Sequence, residues 1–182
     1  GPAVANLLYF LHPTLVPHGH MLASVSHVFN AAMVNGDLSG DTLYYGRGAG
    51  REPTASTVIG DIGDIARNLM SGRSRYRRGV CVANEGRLGI RPAAEAASRY
   101  YLRLMVLDKA GSLGTMTTIL GRHGVSILAA TQKESPAELA HAGYVPVVIL
   151  THPAKGAEMD AALREIRAAG VLNEEPVKLR MI

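Results

Sequence analysis

The sequence has little of several residue types, and each scarcity excludes a class of protein. One of its 182 residues is cysteine, none is tryptophan, and aromatic residues make up 5%. A single cysteine, Cys81, excludes an internal disulfide, which is consistent with a reducing compartment. No apolar run approaches the roughly 20 uncharged residues that span a bilayer, and a basic signal-peptide start is missing. We therefore expect a soluble, cytoplasmic protein without a membrane partner.

Charge is unevenly distributed along a chain that is otherwise rich in apolar residues. The hydrophobic fraction of 47% predicts a packed core, and the formal net charge is +4. Part of the positive charge lies in one short stretch, SGRSRYRRG, from Ser71 to Gly79. Because this stretch contains a single tyrosine and no second basic cluster accompanies it, it is more typical of a solvated connector than of a nucleic-acid interface. Nucleic-acid binding is the weakest hypothesis.

Seven histidines suggest a metal site, and His12, His18, His20 and His27 lie within a short stretch. The stretch has neither a Cys₂His₂ pattern nor paired histidines with an acid at ligand spacing, and it is a loop rich in proline and glycine. Cys81 has no recognisable base near it in sequence. We predict no metal site and assign no catalytic residue in this chain.

Hydrophobic periodicity divides the chain into a first unit (1–72), a basic connector (73–98) and a second unit (99–182). In the first unit, an apolar run at His27–Val34 and an extended pattern at Asp41–Tyr45 flank the sequence Asn-Gly-Asp, which predicts a hairpin. A helix follows, with Val58, Ile59, Ile62, Ile65, Ala66 and Leu69 on its apolar face.

The second unit alternates strand and helix patterns in the order βαββαβ. The predicted strands are Tyr101–Leu107, Val125–Gln132, Tyr144–Thr151 and Val171–Met181, and the predicted helices are Ser112–Arg122 and Glu158–Ala168. On the first helix the spacing favours a face of Leu113, Met116, Thr117 and Leu120. This order predicts an α+β, ferredoxin-like fold with a four-stranded antiparallel sheet and both helices on one face.

The hairpin leads to a glycine-rich loop, YYGRGAGREPTAS, from Tyr44 to Ser56. Glycines before a helix start allow a phosphate or an amide-bearing ring to approach the main chain, whose first N–H groups are unpaired. They equally suit a tight connection that needs positive φ angles and close packing. The residues alone leave these two interpretations balanced.

The runs HPTLVPHGHMLASVSHVFNAAMVNGD and YYGRGAGREPTASTVIGDIGDIA resemble the C-terminal part of the homoserine dehydrogenase catalytic domain. The resemblance implies that the loop lies against the nicotinamide of NADP or NAD, with Gly48 and Gly50 as main-chain contacts and Thr54 at the edge of the cleft. That family begins with a Rossmann domain and a segment carrying the substrate-binding acids and a proton-shuttling lysine, and this sequence has no lysine before Lys109. We therefore expect a C-terminal piece of an oxidoreductase that is inactive alone.

The stretch LDKAGSLG, from Leu107 to Gly114, resembles the ligand loop of ACT domains, which sense amino acids. The resemblance implies an effector site in which helix-start amides at Gly111, Ser112 and Leu113 receive the carboxylate and Asp108 receives the ammonium. Gln132 is a further ligand contact or a solvent-facing strand residue. Asp108 also suits a purely structural role in the turn. Threonine is the expected effector, with isoleucine or methionine as alternatives.

Two functions follow from these resemblances. The first is the C-terminal part of homoserine dehydrogenase, which interconverts aspartate semialdehyde and homoserine, with feedback through the ACT domain. The alternative is a free-standing, non-catalytic amino-acid-binding regulator. In both, an uncovered sheet edge favours a homodimer through the ACT domain.

Overall fold

The structure is a computed structural model that describes residues 6–7, 11–71, 89–132 and 143–182. These residues form two compact units, one from Gly1–Leu15 with Gly86–Ile182 and the other from Val16–Glu85. The arginine-rich stretch beyond Ser71, most of the expected connector, and Cys81 lie outside the described residues. No helix in the described ranges is both long and apolar enough to cross a membrane.

The larger unit is built on the predicted βαββαβ order. Its elements are β6 (Ala97–Leu107), α2 (Ser112–Arg122), β7 (Ile127–Gln132), β8 (Tyr144–Thr151), α3 (Gly156–Ala168) and β10 (Val177–Met181). The sheet order is β10-β6-β8-β7, and all three of these pairings are antiparallel. This is the ferredoxin-like arrangement, and the predicted fold is confirmed.

The core of this unit lies between the sheet and the two helices. Alternate residues of β6 are buried, because successive strand side chains point to opposite faces; they are Tyr100, Leu102, Leu104 and Val106. The helix α3 adds Met159, Leu163 and Ile166, the face that its spacing predicts. All three were assigned correctly because they recur at helical spacing within a polar surrounding.

The predicted core face of α2 is partly wrong: Met116 and Leu120 are buried as expected, but Leu113 and Thr117 are not. The buried residues are Ser112, Met116, Ile119 and Leu120, whereas Leu113 is 37% exposed. Packing against the sheet instead selects the stripe that begins with a serine, so a hydroxyl group lies at the top of the core-facing row.

Several two-residue strands complete the larger unit. β2 (Thr14–Leu15) pairs in parallel with β10, while β9 (Ala154–Lys155) pairs with β6. β1 (Asn6–Leu7) and β5 (Gly89–Ile90) form a separate parallel pair. No pattern predicted these strands, because two residues are too few to show a period of two.

The smaller unit contains the predicted hairpin and helix. β3 (Phe29–Gly36) and β4 (Gly40–Arg47) pair antiparallel, and α1 runs from Arg51 to Met70. The chain reverses later than predicted: Asn35 and Gly36 still belong to the ladder, and the turn comprises residues 37–39. Gly40 takes the positive φ of 68°, and the Asn35 amide donates across the strands to the Asp41 carboxylate. Three-residue hairpin loops use a left-handed residue in this way.

The apolar face of α1 is present but uncovered in this unit. Val58, Ile59, Ile62, Ile65 and Leu69 follow the predicted helical spacing, and they are 52–72% exposed. The described hydrophobic residues of Val16–Glu85 include none that is buried. A row of this kind is typical of a helix whose packing partner lies elsewhere in a protein.

Tyr100 is a polar exception in the core. Its side chain is 0% exposed, and within the described part of the chain its hydroxyl has no hydrogen-bond partner. Burial raises the pKa of the Tyr100 phenol above its usual 10.0, the nearby Arg180 guanidinium opposes that rise, and the Asp160 carboxylate adds to it. The guanidinium carbon of Arg180 lies 5.6 Å from the centre of the ring.

Candidate functional site

The glycine loop forms the junction between β4 and α1. Gly50 occupies the N-cap position of α1 with φ 131° and ψ 153°, and no side chain caps the helix. An L-residue rarely adopts this φ, so Gly50 is required by backbone conformation. An added Cβ would also lie 3.3 Å from Cδ of Pro53.

The main-chain N–H groups of this junction fall into two sets. Gly48 N–H donates to the Val28 carbonyl at 2.9 Å, and Thr54 N–H donates to the Gly50 carbonyl at 3.2 Å. Between them, the amides of residues 49–52 meet no acceptor in the described parts of the chain. These four consecutive open donors at the start of a 20-residue helix are groups with which an anion or a carbonyl oxygen can form hydrogen bonds.

Gly48 has a different role from Gly50. A methyl group on Gly48 would collide with the side-chain amide of Asn30, which fills the space beside it. At this position the absent side chain therefore serves the packing of the hairpin itself. Gly50 and the amides after Gly48 are the parts of the loop that remain open to a ligand, and Thr54 is exposed at the first turn of α1.

The second junction joins β6 to α2 and is fixed by three main-chain hydrogen bonds. Leu107 N–H donates to Val171 at 2.9 Å, Asp108 N–H to Gly143 at 2.7 Å, and Lys109 N–H to Leu107 at 2.8 Å. Gly111 then adopts the left-handed conformation, with φ 92°. The loop is consequently held in place on both sides, and its turn needs glycine.

The start of α2 repeats the pattern of open amides. Ser112 N–H donates to the Lys109 carbonyl at 3.1 Å, and Thr115 N–H donates to the Gly111 carbonyl at 2.9 Å. Among the described residues, no acceptor is bonded to the amides of Leu113 and Gly114. Leu113 therefore has an amide available for a carboxylate, whereas the amide of Ser112 is already occupied.

A cavity of about 280 Å³ lies at this junction. It brings together every residue that the sequence assigned to the effector site: Asp108, Gly111, Ser112, Leu113 and Gln132. The remaining lining residues were not predicted; they are Val106, Leu107, Lys109, Ala110, Val145 and Val147. Val145 and Val147 lie on the second half of the unit, and only the strand order brings β8 beside β6.

The side chains around the cavity differ in exposure. Asp108 and Gln132 are exposed at its mouth, whereas Ser112 is 7% exposed and Val147 is buried. No hydrogen-bond acceptor or donor engages the Ser112 hydroxyl within the described ranges. The cavity therefore has a charged and polar entrance, an open amide at Leu113, and apolar residues in its wall.

The closely spaced histidines of the first unit do not assemble into a metal site within the described residues. His20 Nδ1 accepts a hydrogen bond from Leu22 N–H at 3.2 Å and caps a short 3₁₀ helix at Met21–Ser24, while His12 Nδ1 lies 3.0 Å from Thr14 Oγ1. In the ranges that the structure covers, no group of three histidine, cysteine, aspartate or glutamate side chains is arranged to hold a metal ion.

Comparison with known proteins identifies both halves of the chain. Residues 3–62 match the homoserine dehydrogenase family, and residues 100–168 match the ACT domain family. The homoserine dehydrogenase of Pseudomonas aeruginosa is 35% identical over 173 residues, and that of Neisseria gonorrhoeae is 38% identical over 178 residues. Each match covers 94% of this chain but 39% of the relative, so the chain spans about two fifths of the length of these proteins.

A solved structure gives the same result in three dimensions. The crystal structure of a homoserine dehydrogenase from Thiobacillus denitrificans superimposes with a TM-score of 0.77 and 33% identity, covering 94% of this chain and 38% of that one. The homoserine dehydrogenase family model, the two relatives and this structure all indicate the same family. The chain belongs to the homoserine dehydrogenase family, of which it represents the C-terminal part, the end of the catalytic domain followed by an ACT domain.

Proposed function

We propose that the whole protein to which this chain corresponds is an NAD(P)-dependent oxidoreductase that interconverts L-aspartate 4-semialdehyde and L-homoserine, under feedback control by threonine. One observation supports the regulatory part: all of the predicted effector residues line the same cavity. The catalytic part rests on the match of residues 3–62 and on the open amides of residues 49–52.

The residues of the glycine loop fit a nicotinamide coenzyme. The coenzyme supplies the hydride acceptor and donor of the reaction, in NAD or NADP form. The chain contributes main-chain donors at residues 49–52, which hold and orient a carbonyl or phosphate oxygen, and the Gly50 conformation that exposes them. Thr54 adds a hydroxyl at the edge of the same turn. Gly48 supports the loop indirectly, because its open side accommodates Asn30.

The ACT cavity fits a free α-amino acid. The open amide of Leu113, with the partial positive charge of the α2 N-terminus, suits the α-carboxylate. The exposed Asp108 carboxylate suits the α-ammonium, and Gln132 lies at the same mouth. Gly111 sets the turn that aligns these groups. For feedback, the effector must bind one conformation of the enzyme better than another.

A homodimer through the ACT domain is the assembly that we propose. The described part of the chain provides no strand for the outer edge of β7, and five of its six residues are exposed. On the opposite side of the sheet, β2 already pairs with β10. Unpaired edges favour strand addition, so a second copy is expected at β7, where Gln132 would lie near the interface.

Calorimetric titration of this chain with the amino acids of the aspartate family tests the effector site. We expect threonine to bind and to raise Tm, and replacement of Asp108 by alanine to abolish the stabilisation while leaving the fold intact. Glu174→Ala, which removes an exposed carboxylate outside the cavity, is the matched control. Unchanged stabilisation of the Asp108 variant by threonine would remove this residue from the site.

The alternative function is an amino-acid-binding regulator without catalysis. It is favoured by one observation, that the buried hydrophobic core described here belongs entirely to the ACT-containing unit. Both functions predict threonine binding. They differ in coenzyme use: absence of coenzyme turnover by the whole protein would argue for the alternative. In the full-length enzyme Gly50→Val should raise the KM for the coenzyme, and an unaffected KM would remove Gly50 from the coenzyme site.

A further inference from the structure

The side chain of Asn30, on β3, occupies the space that a side chain of Gly48 would need. An ideal Cβ built on Gly48 would overlap the Asn30 amide nitrogen, and it would lie 2.5 Å from Cγ of Asn30. Gly48 does not have a positive φ, so its backbone conformation would accept any L-residue. The Asn30 carboxamide is therefore what excludes a side chain at residue 48.

This contact lies where the chain leaves the hairpin. The ladder of β3 and β4 ends with the pair Phe29 and Arg47, and one further main-chain bond joins the Gly48 N–H to the Val28 carbonyl at 2.9 Å. The N–H groups of residues 49–52 are bonded to no acceptor among the described residues. Between the hairpin and the first turn of α1, the main chain is consequently held at Gly48, by one backbone bond and by the side chain packed against it.

The neighbouring glycine of β4 shows that the contact is specific. Gly46 is the ladder partner of Asn30, yet a Cβ added to Gly46 would meet nothing within 4 Å. The Asn30 side chain therefore extends away from its ladder partner and towards the loop. In the described part of the chain its carboxamide forms no hydrogen bond, so packing against Gly48 is the contact through which Asn30 acts on the loop.

We infer that Asn30 is a positioning residue of the coenzyme site: it holds the main chain at Gly48 so that the open amides of residues 49–52 are presented to the nicotinamide coenzyme. The inference rests on the function proposed for the glycine loop and adds a residue from a different strand. Donors that are aligned before the ligand arrives cost little to order. A loop that can change direction at Gly48 must be ordered by the ligand, which weakens binding.

Fluorescence titration of the full-length enzyme with NADPH and with NADH measures this contribution. Asn30→Ala should raise the Kd and the KM of the coenzyme about three- to tenfold, while the KM for aspartate semialdehyde changes less than about twofold. Asn35→Ala is the matched control, because it removes the same side chain from the far end of β3, where the amide is bonded to Asp41. It should leave the Kd of the coenzyme unchanged.

Gly48→Ala disturbs the same contact from the other side, since its methyl group takes the place of the carboxamide. It should weaken coenzyme binding by a similar factor. The double variant Asn30→Ala/Gly48→Ala should bind no more weakly than the weaker single variant, because two changes to one shared contact do not add. Gly46→Ala is the control for alanine in this strand. Circular dichroism verifies folding, and Gly48→Ala carries the test if Asn30→Ala fails to fold.

Asn30→Leu separates positioning from direct contact with the coenzyme. Leucine has a similar branched shape without polar atoms, so this variant should keep the Kd within about twofold of the unmodified enzyme. Binding as weak as that of Asn30→Ala would mean that the amide itself bonds to the coenzyme, and it would overturn the positioning role.

Three further results would overturn the inference and leave the proposed function standing. They are an unchanged Kd in Asn30→Ala, additive losses in the double variant, and a loss in Asn35→Ala equal to that in Asn30→Ala. Absence of coenzyme binding by the unmodified full-length enzyme is distinguishable from these, because it refutes the proposed function itself.

Discussion

The two strand-to-helix junctions of this chain share one backbone arrangement but differ in the side chains around it. Each has a glycine with positive φ directly before a helix, Gly50 before α1 and Gly111 before α2, and each leaves main-chain amides open. After Gly111, one of the open amides belongs to Leu113, which lines a cavity. At Gly50 they lie on a unit whose described hydrophobic residues all remain at least partly exposed.

This difference shows that a binding site needs more than hydrogen-bond donors. A helix N-terminus supplies direction and partial charge, but selectivity requires side chains around the ligand that exclude water. The ACT unit contains such side chains because its sheet and helices enclose a core. We propose that the glycine loop obtains its walls from the parts of homoserine dehydrogenases that these 182 residues do not span, together with cover for the apolar row of α1.

The largest predicted change in stability compares the buried core of the ACT-containing unit with the exposed face of α1. Leu120→Ala empties a fully buried position and is expected to lower the free energy of unfolding by about 2–5 kcal/mol. The matched substitution Ile62→Ala, on the exposed face of α1, should cost less than about 1 kcal/mol, because little apolar area is lost from the interior. Urea denaturation of both variants measures this. Comparable losses would mean that the α1 face is covered in solution.

Substitutions of the two junction glycines should affect the two units differently. Gly111→Val forces a β-branched residue into the left-handed region and should destabilise the ACT unit by about 1–3 kcal/mol, besides weakening effector binding. Gly50→Val introduces comparable backbone strain in the other unit and should leave the ACT transition unchanged. Thermal unfolding followed with and without threonine distinguishes these outcomes. A shift of the ACT transition by the Gly50 variant would contradict the separation.

Tyr100 gives a prediction that concerns pH. Its raised pKa means that the phenol ionises more readily in the unfolded chain than in the fold. The unfolded state therefore binds fewer protons than the fold above about pH 10, and stability should fall as pH rises from there towards the raised pKa. Tyr100→Phe removes an unpartnered hydroxyl and should be neutral or more stable by up to about 1 kcal/mol at neutral pH. Denaturation from pH 8 to 11 should show a weaker alkaline loss in this variant.

The smallest effect is expected at the ion pairs between the two helices. Glu165 on α3 accepts from Arg122 at 2.5 Å and lies 2.7 Å from His123 Nε2, and all three side chains are partly exposed. Glu165→Gln should therefore cost less than about 1 kcal/mol, and the difference should shrink at high salt. Denaturation at low and high salt checks both statements, and a loss independent of salt would indicate a packing role instead.

Local patterns located most of the fold and of the candidate site. The bounds Ser112–Arg122 and Tyr144–Thr151 were predicted as the structure has them, because Gly111 before the helix and regular apolar spacing mark them. The residues expected to bind an effector were assigned by resemblance, and the structure brings them together at one cavity. The turn after β3 was placed too early, since Asn-Gly is a strong turn signal that the cross-strand bond from Asn35 to Asp41 overrides.

The sequence by itself determined the order of elements, the two glycine junctions and the family, because periodicity, positive-φ residues and extended motifs are properties of neighbouring residues. Only the tertiary structure decided which stripe of α2 faces inward, that Val145 and Val147 wall the cavity, and that Asn30 fills the space beside Gly48. Those features depend on contacts between residues far apart in the chain, which form only when strands and helices pack. The burial of Ser112 is therefore a consequence of packing that no local pattern encodes.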